Sequence, residues 1–588
     1  MDWKRLDRVR HNVGPVHLDL VESYAQGKIS RRSFVRRGAV IGLSMPFIGA
    51  VIAACGDDEG SGGGTAGSNA PGTTGAPGTG APGTAAPGTT GAPGTSGAPT
   101  TASGQKGGMM TVGAQIPGAL DPIAMQDLGA YGIIAQSFEF LATLGDDGKI
   151  APGLAESWEP NEDGSVWTFQ LRQGVKWQDG KDFSSADVAA TMDRLVEAAN
   201  SGLAGVIEAG AVDTSDPNVA VFNLASPNGN FPALVSIFNA QTAITPVDFE
   251  TGTTLDAKPN GTGPWKLDRF DAATGCTFVR NPDWWGGKTP LDSTEFSFFD
   301  DLGTMLTAMQ GGSVDALVQF SVIGGDALLN SPDFKVLEIE SATHRQIWMR
   351  TDKGTFADKR VRQALAYTFD REQMVETLFR GRASVGNDHP IAPFFPYFDD
   401  SVPQRTKDID MAKQLLTDAG AEGVRATLQI VRLQEIPELA QLIVAGAAEA
   451  GMKIEIAQES TKTFYGSQWC PAEPADPPCS GAAELGIVDY GDRPTPDIYL
   501  NAALKTNGVW NSSQYSNKDL DAAFAEFQRS VDVESQRAAS KSMETILNDD
   551  TPIGLPFFYN FLSGHSTELQ NVRVTAIGQM FLEKASRV

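Results

Sequence analysis

The chain has 588 residues, 41% hydrophobic and 20% charged, which is enough for two or three domains with cores of their own. Its 72 acidic and 46 basic residues leave a formal net charge of -26, a surface that repels phosphate backbones and excludes nucleic acid as a partner. Four Cys in this length exclude a disulfide-stapled miniprotein.

The amino end runs against that charge balance. Residues 1–54 hold nine Lys/Arg and four acids, a net +5. Ser30-Arg31-Arg32-Ser33-Phe34-Val35-Arg36 precedes an apolar run over 38–54 that contains Pro46. A membrane-spanning helix wants about 20 apolar residues, so this run fits the core of a signal peptide better. Adjacent arginines before such a run resemble a twin-arginine export signal, a route for proteins that fold before export; an ordinary signal-anchor helix is the alternative. The run ends Ile52-Ala53-Ala54-Cys55, which resembles a bacterial lipobox. That resemblance implies a diacylglyceryl group on Cys55, and two acyl chains anchor a protein stably. Residues 56–107 contain no Val, Ile, Leu, Met, Phe, Trp or Tyr and repeat Gly-Ala-Pro-Gly-Thr with variations. With nothing to bury, 55–107 reads as a lipid-anchored, disordered tether with an r.m.s. reach of about 40 Å.

From Met109 onward strand and helix signals alternate. Residues 167–171 alternate as a strand, and Gln173-Gly174 begins a turn. Ser184 or Ser185 can cap a helix over 186–198, with Asp187 in its first turn. Asp370 precedes a helix over 371–380 with Gly381 at its stop, and Asp410 is expected to cap 411–419, ended by Gly420. Strands over 426–431 and 453–457 flank a helix over 436–450, and 518–547 is helical. The alternation argues an α/β or α+β body with mixed sheets.

Several blocks then identify a resemblance. Pro152-Gly153-Leu154-Ala155-Glu156-Ser157-Trp158, Thr168-Phe169-Gln170-Leu171-Arg172-Gln173-Gly174-Val175-Lys176-Trp177 and Ser185-Ala186-Asp187-Val188 come first. Gly261-Thr262-Gly263-Pro264-Trp265-Lys266-Leu267 and Arg280-Asn281-Pro282-Asp283-Trp284-Trp285-Gly286-Gly287 follow. Asp358-Lys359-Arg360-Val361-Arg362-Gln363-Ala364-Leu365, Asp370-Arg371 and Ala412-Lys413-Gln414-Leu415-Leu416-Thr417-Asp418-Ala419-Gly420 complete the series. In this order they resemble the solute-binding proteins of bacterial ABC importers, family 5, the oligopeptide/dipeptide/nickel branch. The blocks also have structural readings: Gly261, Gly263 and Pro264 make a sharp turn into a strand, and Trp158, Trp167 and Trp177 suit core packing better than ligand stacking.

The resemblance implies an α/β, two-lobe, periplasmic-binding-protein-like clamshell of the class II type, with an extra inserted domain and a discontinuous first lobe. Mapped here, the first lobe takes 108–147, 251–330 and 551–588, the inserted domain 148–250, and the second lobe 331–550. It also implies an ABC permease with its ATPase as partner, a monomer, a small organic ligand and a place outside the cytoplasm. No cofactor is expected. Leu485-Gly486-Ile487-Val488-Asp489-Tyr490 resembles a cleft-lining segment, which makes Asp489 a candidate for holding a peptide's amino terminus, with Tyr490 beside it. A desolvated carboxylate needs a cation, and an ammonium supplies one. The family often has a Trp where Gly486 stands.

Met125, Asp127 and Tyr131 follow a loop that faces the cleft in relatives, and Trp469 could roof it. In His344-Arg345-Gln346-Ile347-Trp348, alternation sets His344, Gln346 and Trp348 on one face, where Gln346 and Trp348 are further candidates against a hinge or core role. Cys470 and Cys479, with four Pro between them, are expected to pair in an exported protein, and Cys276 reads as a buried strand thiol. No Gly-x-Ser-x-Gly elbow and no His-Glu-x-x-His motif occurs, and three dispersed His in the body disfavour nickel held by imidazoles. The expected function is capture of a small organic solute for import, a peptide first and an oligosaccharide or other polar solute second; a non-transport receptor or chaperone role and an extracellular hydrolase are the remaining alternatives.

Overall fold

The computed structural model describes residues 107–588 apart from 146–147, 199, 201 and 472–476. The signal peptide, Cys55 and most of the tether lie outside the described residues.

Two seven-stranded sheets organise the body. In the first, the order is Phe334–Ile339, Phe561–Ser566, Ala316–Phe320, Met109–Gln115, Ser293–Phe299, Gly275–Arg280 and Trp265–Asp271. The central strand Met109–Gln115 runs parallel to both neighbours, and the outer pairs are antiparallel. In the second sheet the order is Ala383–Val385, Phe557–Tyr559, His344–Met349, Leu485–Tyr490, Arg425–Val431 and Lys453–Glu459, with Ile553–Gly554 also on His344–Met349. A separate antiparallel sheet of four strands, Ala155–Pro160, Val166–Leu171, Val219–Asn223 and Val212–Asp216, carries the inserted domain.

Local chemistry explains the helices. Ser184 caps Ser185–Glu197 in a capping box, with the Asp187 carboxylate accepting from the Ser184 N–H. Asp370 caps Arg371–Phe379 by accepting from Gln373 N. Asp408, not Asp410, caps Ile409–Ala419. Both acids suit a helix start, and the helix begins two residues earlier than expected, so Asp410 falls in its first turn. The carboxyl-terminal helical stretch is two helices, Lys518–Arg529 and Val533–Asp550, broken at Ser530. Gly261 is a close-approach glycine, because a Cβ there would meet Ser137 O at 1.8 Å. Trp167 and Trp177 are core residues, and Trp158 stacks on Phe169.

Sheet membership shifts the domain boundaries. The strand Phe334–Ile339 pairs with Phe561–Ser566 in the first sheet, and Ile553–Gly554 and Phe557–Tyr559 pair in the second. The crossings therefore fall at 340–343 and at Asn560 rather than near 330 and 550. The two crossings are tied together, with Tyr559 N donating to Thr343 O at 3.0 Å. Each side has its own core. One buries Phe169, Phe222, Phe231, Trp265, Phe278 and Phe296 across the first lobe and the inserted domain. The other is built around Ile347, Trp348, Leu365, Leu428, Ile443 and Ile487. This is the α/β two-lobe architecture. No helix among the described residues is long and apolar enough to cross a membrane.

Candidate functional site

The paired strands His344–Met349 and Leu485–Tyr490 set the chemistry of the second lobe. Their register places Arg345 opposite Asp489 on one face, and His344 opposite Tyr490 and Trp348 opposite Gly486 on the other.

On the first face Arg345 is buried and pairs with Glu435 at 2.7 Å, donates to Gln434 at 2.7 Å and lies 4.8 Å from the Tyr559 ring. Burial works against its charge, and Glu435 outweighs that cost. Asp489 is half-buried beside it and accepts from the Tyr465 hydroxyl. Burial and the Asp489 carboxylate push the Tyr465 phenol well above its ordinary range, so it stays a neutral donor. Gln434, Glu435 and Tyr559 also line a cavity of about 30 Å³ between the lobes, closed on the first-lobe side by Phe320, Ile323 and Leu562.

On the second face His344 is wholly buried among Tyr490, Tyr499 and Phe558, and its Nδ1 donates to Ala342 O at 2.8 Å. Burial pushes its pKa down to about 4, so it is neutral. Tyr490 is 5% exposed. Trp348 donates from Nε1 to Ala483 O at 2.9 Å and stands edge-on to Phe464. Its indole covers Gly486, where a Cβ would meet the ring at 2.1 Å. The volume that a side chain at 486 would claim is thus filled from the neighbouring strand. Gln346 is equally buried. Both Gln346 and Trp348 stand inside the second lobe and line neither interlobe cavity. Trp469 ends an irregular turn, Phe464–Trp469, and makes edge contacts with Tyr465 at 5.7 Å and Tyr490 at 6.4 Å. Next to it Cys470 and Cys479 form a disulfide, and Cys276 is free and buried.

The first lobe divides its three candidates. Met125 is 2% exposed and belongs to the core. Asp127 caps the helix Leu128–Ser137, accepting from Ala130 N and Gly118 N, so its carboxylate is committed to backbone. Tyr131, one turn into that helix, is half-buried and reaches a second interlobe cavity of about 40 Å³. Phe238, Gln241 and Ile577 line it from the same side, and Arg493 and Ile498 from the second lobe. Sequence reasoning missed Arg493. The available signal was a lone cation between the Asp489-Tyr490 and Pro496-Asp497 blocks.

The inserted domain meets the second lobe close by. Asn230 donates to Asp497 at 3.0 Å and accepts from Gln536 at 2.9 Å, while Gly229 N donates to Gln528 O at 2.7 Å. Asp492 anchors the first crossing by accepting from Ala342 N at 2.6 Å, and burial raises its pKa to about 6. No group of three or more His, Cys, Asp or Glu that could hold a metal ion occurs among the described residues.

Residues 149–475, more than half of the chain, match the model of the bacterial extracellular solute-binding proteins, family 5 middle region. The chain belongs to this family. Family 5 proteins bind solutes outside the cytoplasm, and this one has relatives with different printed ligands. Heme-binding protein A of Haemophilus influenzae is 27% identical over 436 residues, covering 68% of this chain and 78% of that protein. The dipeptide-binding protein of Escherichia coli K12 is 27% identical over 461 residues, covering 72% and 82%. Among solved structures, the Helicobacter pylori periplasmic binding protein DppA in complex with peptide STSA superposes with a TM-score of 0.66 at 21% identity, covering 82% of this chain and 99% of that one. The Listeria monocytogenes ABC-transporter substrate-binding protein CtaP gives 0.71 at 19%, covering 82% and 100%. At these identities the superpositions show that the family 5 protein shares their fold.

Proposed function

We propose that this family 5 protein is the lipid-anchored receptor of an ABC importer, that it takes up a peptide by closing its lobes, and that it hands the peptide as a monomer to a membrane permease driven by an ATPase. The carrying observation is the construction of the seam. Among the described residues the chain passes between two lobes, each with a large core, at 340–343 and Asn560, and polar groups from both sides face the cavities between them. A ligand that touches both lobes binds the closed state better than the open one, and that difference drives closure.

Peptide is favoured over imidazole-held nickel by where the histidines lie: His344, His389 and His565 are all buried and line neither cavity. On this reading Asp489 exchanges the Tyr465 hydroxyl for the ligand's ammonium. Binding, not catalysis, is the role. The twin-arginine-like signal and the Ile52-Ala53-Ala54-Cys55 block support export and anchoring at Cys55.

Native mass spectrometry of the purified body, with and without di- and tripeptide mixtures, tests the binding. A stoichiometric peptide adduct is expected, weakened by Asp489→Ala; no adduct with any peptide overturns the reading. Cys55→Ser is expected to release the protein from the membrane fraction.

A further inference from the structure

The segment that carries the Cys470–Cys479 disulfide, between the turn Phe464–Trp469 and the strand Leu485–Tyr490, is fastened at both ends without it. Ala483 N donates to Gln468 O at 2.8 Å and ties the two ends together. On the Cys479 side, buried Arg350 donates to Ser480 O at 2.9 Å and to Ala482 O at 2.8 Å, Gln514 donates to Pro478 O at 2.6 Å, and the Trp348 indole holds Ala483 O. On the Cys470 side, Trp469 stands edge-on to Tyr465 and Tyr490. Neither cysteine belongs to the apolar core of the second lobe. Contacts that are not covalent thus hold the two Cα atoms 4.3 Å apart.

The two sulfurs are unequal. Cys479 is 2% exposed, whereas Cys470 is only half-buried. Both lie against Val509 O, Cys479 at 3.1 Å and Cys470 at 3.3 Å. That carbonyl is in place to accept an S–H from either sulfur, so a buried Cys479 thiol has a partner before any disulfide exists. The amino end adds a constraint of timing. The block Ser30-Arg31-Arg32-Ser33-Phe34 points to an export route for folded proteins. The cytoplasm in which such folding happens keeps thiols reduced. A protein on that route is native before its disulfide can form.

We propose that this chain folds as a dithiol, and that Cys470 is the sulfur at which a disulfide-bearing oxidant outside the cytoplasm closes the Cys470–Cys479 bond. This rests on the export reading above. The Cys470 thiolate attacks the oxidant's S–S bond, forming a mixed disulfide and releasing one oxidant sulfur as a thiolate. The Cys479 thiolate then attacks the Cys470 sulfur, and the second oxidant sulfur leaves. Two electrons pass to the oxidant, and the two protons given up by the cysteines end on its sulfurs. Access sets the order, because a buried thiol cannot meet an oxidant that an exposed one can.

The test uses the full chain with Cys55→Ser, which leaves Cys276, Cys470 and Cys479. Reduced with dithiothreitol, it is expected to keep a cooperative thermal transition, lowered by a few degrees. Oxidised glutathione is then the probe, with adducts counted by mass. Cys479→Ser should gain its adduct at Cys470 at least about tenfold faster than Cys470→Ser gains one at Cys479, and the two rates should converge in urea. Buried Cys276 is the internal control, silent until urea is added. Loss of the transition on reduction, or equal rates in the native protein, overturns the proposal. In cells, Arg31→Lys with Arg32→Lys is expected to leave a protease-resistant chain in the cytoplasm, with Cys470 and Cys479 both reduced when alkylated in urea. A protease-sensitive chain there overturns folding as a dithiol. If the double variant is exported as wild type is, the twin-arginine reading falls, and the melting and glutathione results still decide the chemistry at Cys470. Cys479→Ser with its signal intact should carry a mixed disulfide on Cys470 outside the cytoplasm, and the adduct's mass tells a protein oxidant from a small disulfide. A free Cys470 in that exported variant overturns its role as the entry sulfur.

Discussion

Two carboxyls, half-buried Glu139 in one lobe and fully buried Asp388 in the other, have been given opposite surroundings. Glu139 of the first lobe is held by indole N–H groups, from Trp284 at 3.0 Å and Trp285 at 2.8 Å. Burial raises its pKa, the indoles only partly oppose this, and the result is about 7. Asp388 of the second lobe is fully buried between Arg371, at 2.8 Å to both oxygens, and Arg405, and it also accepts from Leu555 N. Burial raises its pKa too, but the two guanidiniums overcome it and hold the carboxyl below the usual range. Burial alone therefore does not decide ionisation. Neutral dipoles leave a carboxyl poised near neutrality, whereas full charges keep it ionised.

The largest effect that would break this comparison is at Asp388. Asp388→Ala leaves two guanidiniums buried without a counter-charge, and urea unfolding should show a loss of about 3–5 kcal/mol. A loss below about 1 kcal/mol would mean that the arginines find other partners. Gly486→Ala comes next and tests the apolar side of the same lobe. The new methyl must displace the Trp348 indole, at a cost of about 1–3 kcal/mol with the strand register kept. Trp285→Phe removes one N–H from Glu139 and is expected to cost about 1 kcal/mol, together with a further rise in that carboxyl's pKa.

The last effect is a slope. Glu139 has a folded pKa raised above its ordinary 4.5, so its contribution to stability is fully present below about pH 4.5 and is lost as pH rises through about 7. Asp388, with a depressed pKa, contributes above 3.8 and loses that contribution as pH falls through its folded value. Stability of Glu139→Gln relative to wild type should therefore climb between pH 4.5 and 7 and level off above. A flat difference across that range would show that Glu139 is already ionised in the folded protein.

What could be read from the sequence divides along the same lines of local against distant cause. The strand Val166–Leu171 and the caps at Ser184 and Asp370 were legible because alternation and capping act within a few residues. The boundaries at 330 and 550 missed the crossings because Phe334–Ile339 finds its partner at Phe561–Ser566, more than 220 residues away, and no local pattern announces such a pairing. At the site, alternation did set His344, Gln346 and Trp348 on one face, with Arg345 on the other. It could not say that both faces would be covered, so Gln346 and Trp348 stand in the sequence as ligand candidates beside a hinge or core role, and both are buried. Tyr131 was visible through the loop that precedes it. Arg493 was not, since its meaning comes from a helix of the other lobe.

The placement of Phe561–Ser566 between Ala316–Phe320 and Phe334–Ile339 also sets a timetable. A ribosome working at about 5–20 residues per second needs roughly 10 to 45 s to go from residue 334 to residue 561. For that interval the first sheet has a gap one strand in from its edge, with two strand edges unpaired and open to the wrong partner. The second sheet waits too, for Ile553–Gly554 and Phe557–Tyr559. Neither half of this protein can finish folding before the last strands are made, so a chaperone that shields nascent strands has its work at the very end of synthesis, and a chain ending at Asn560 would leave the first sheet, not the second, open.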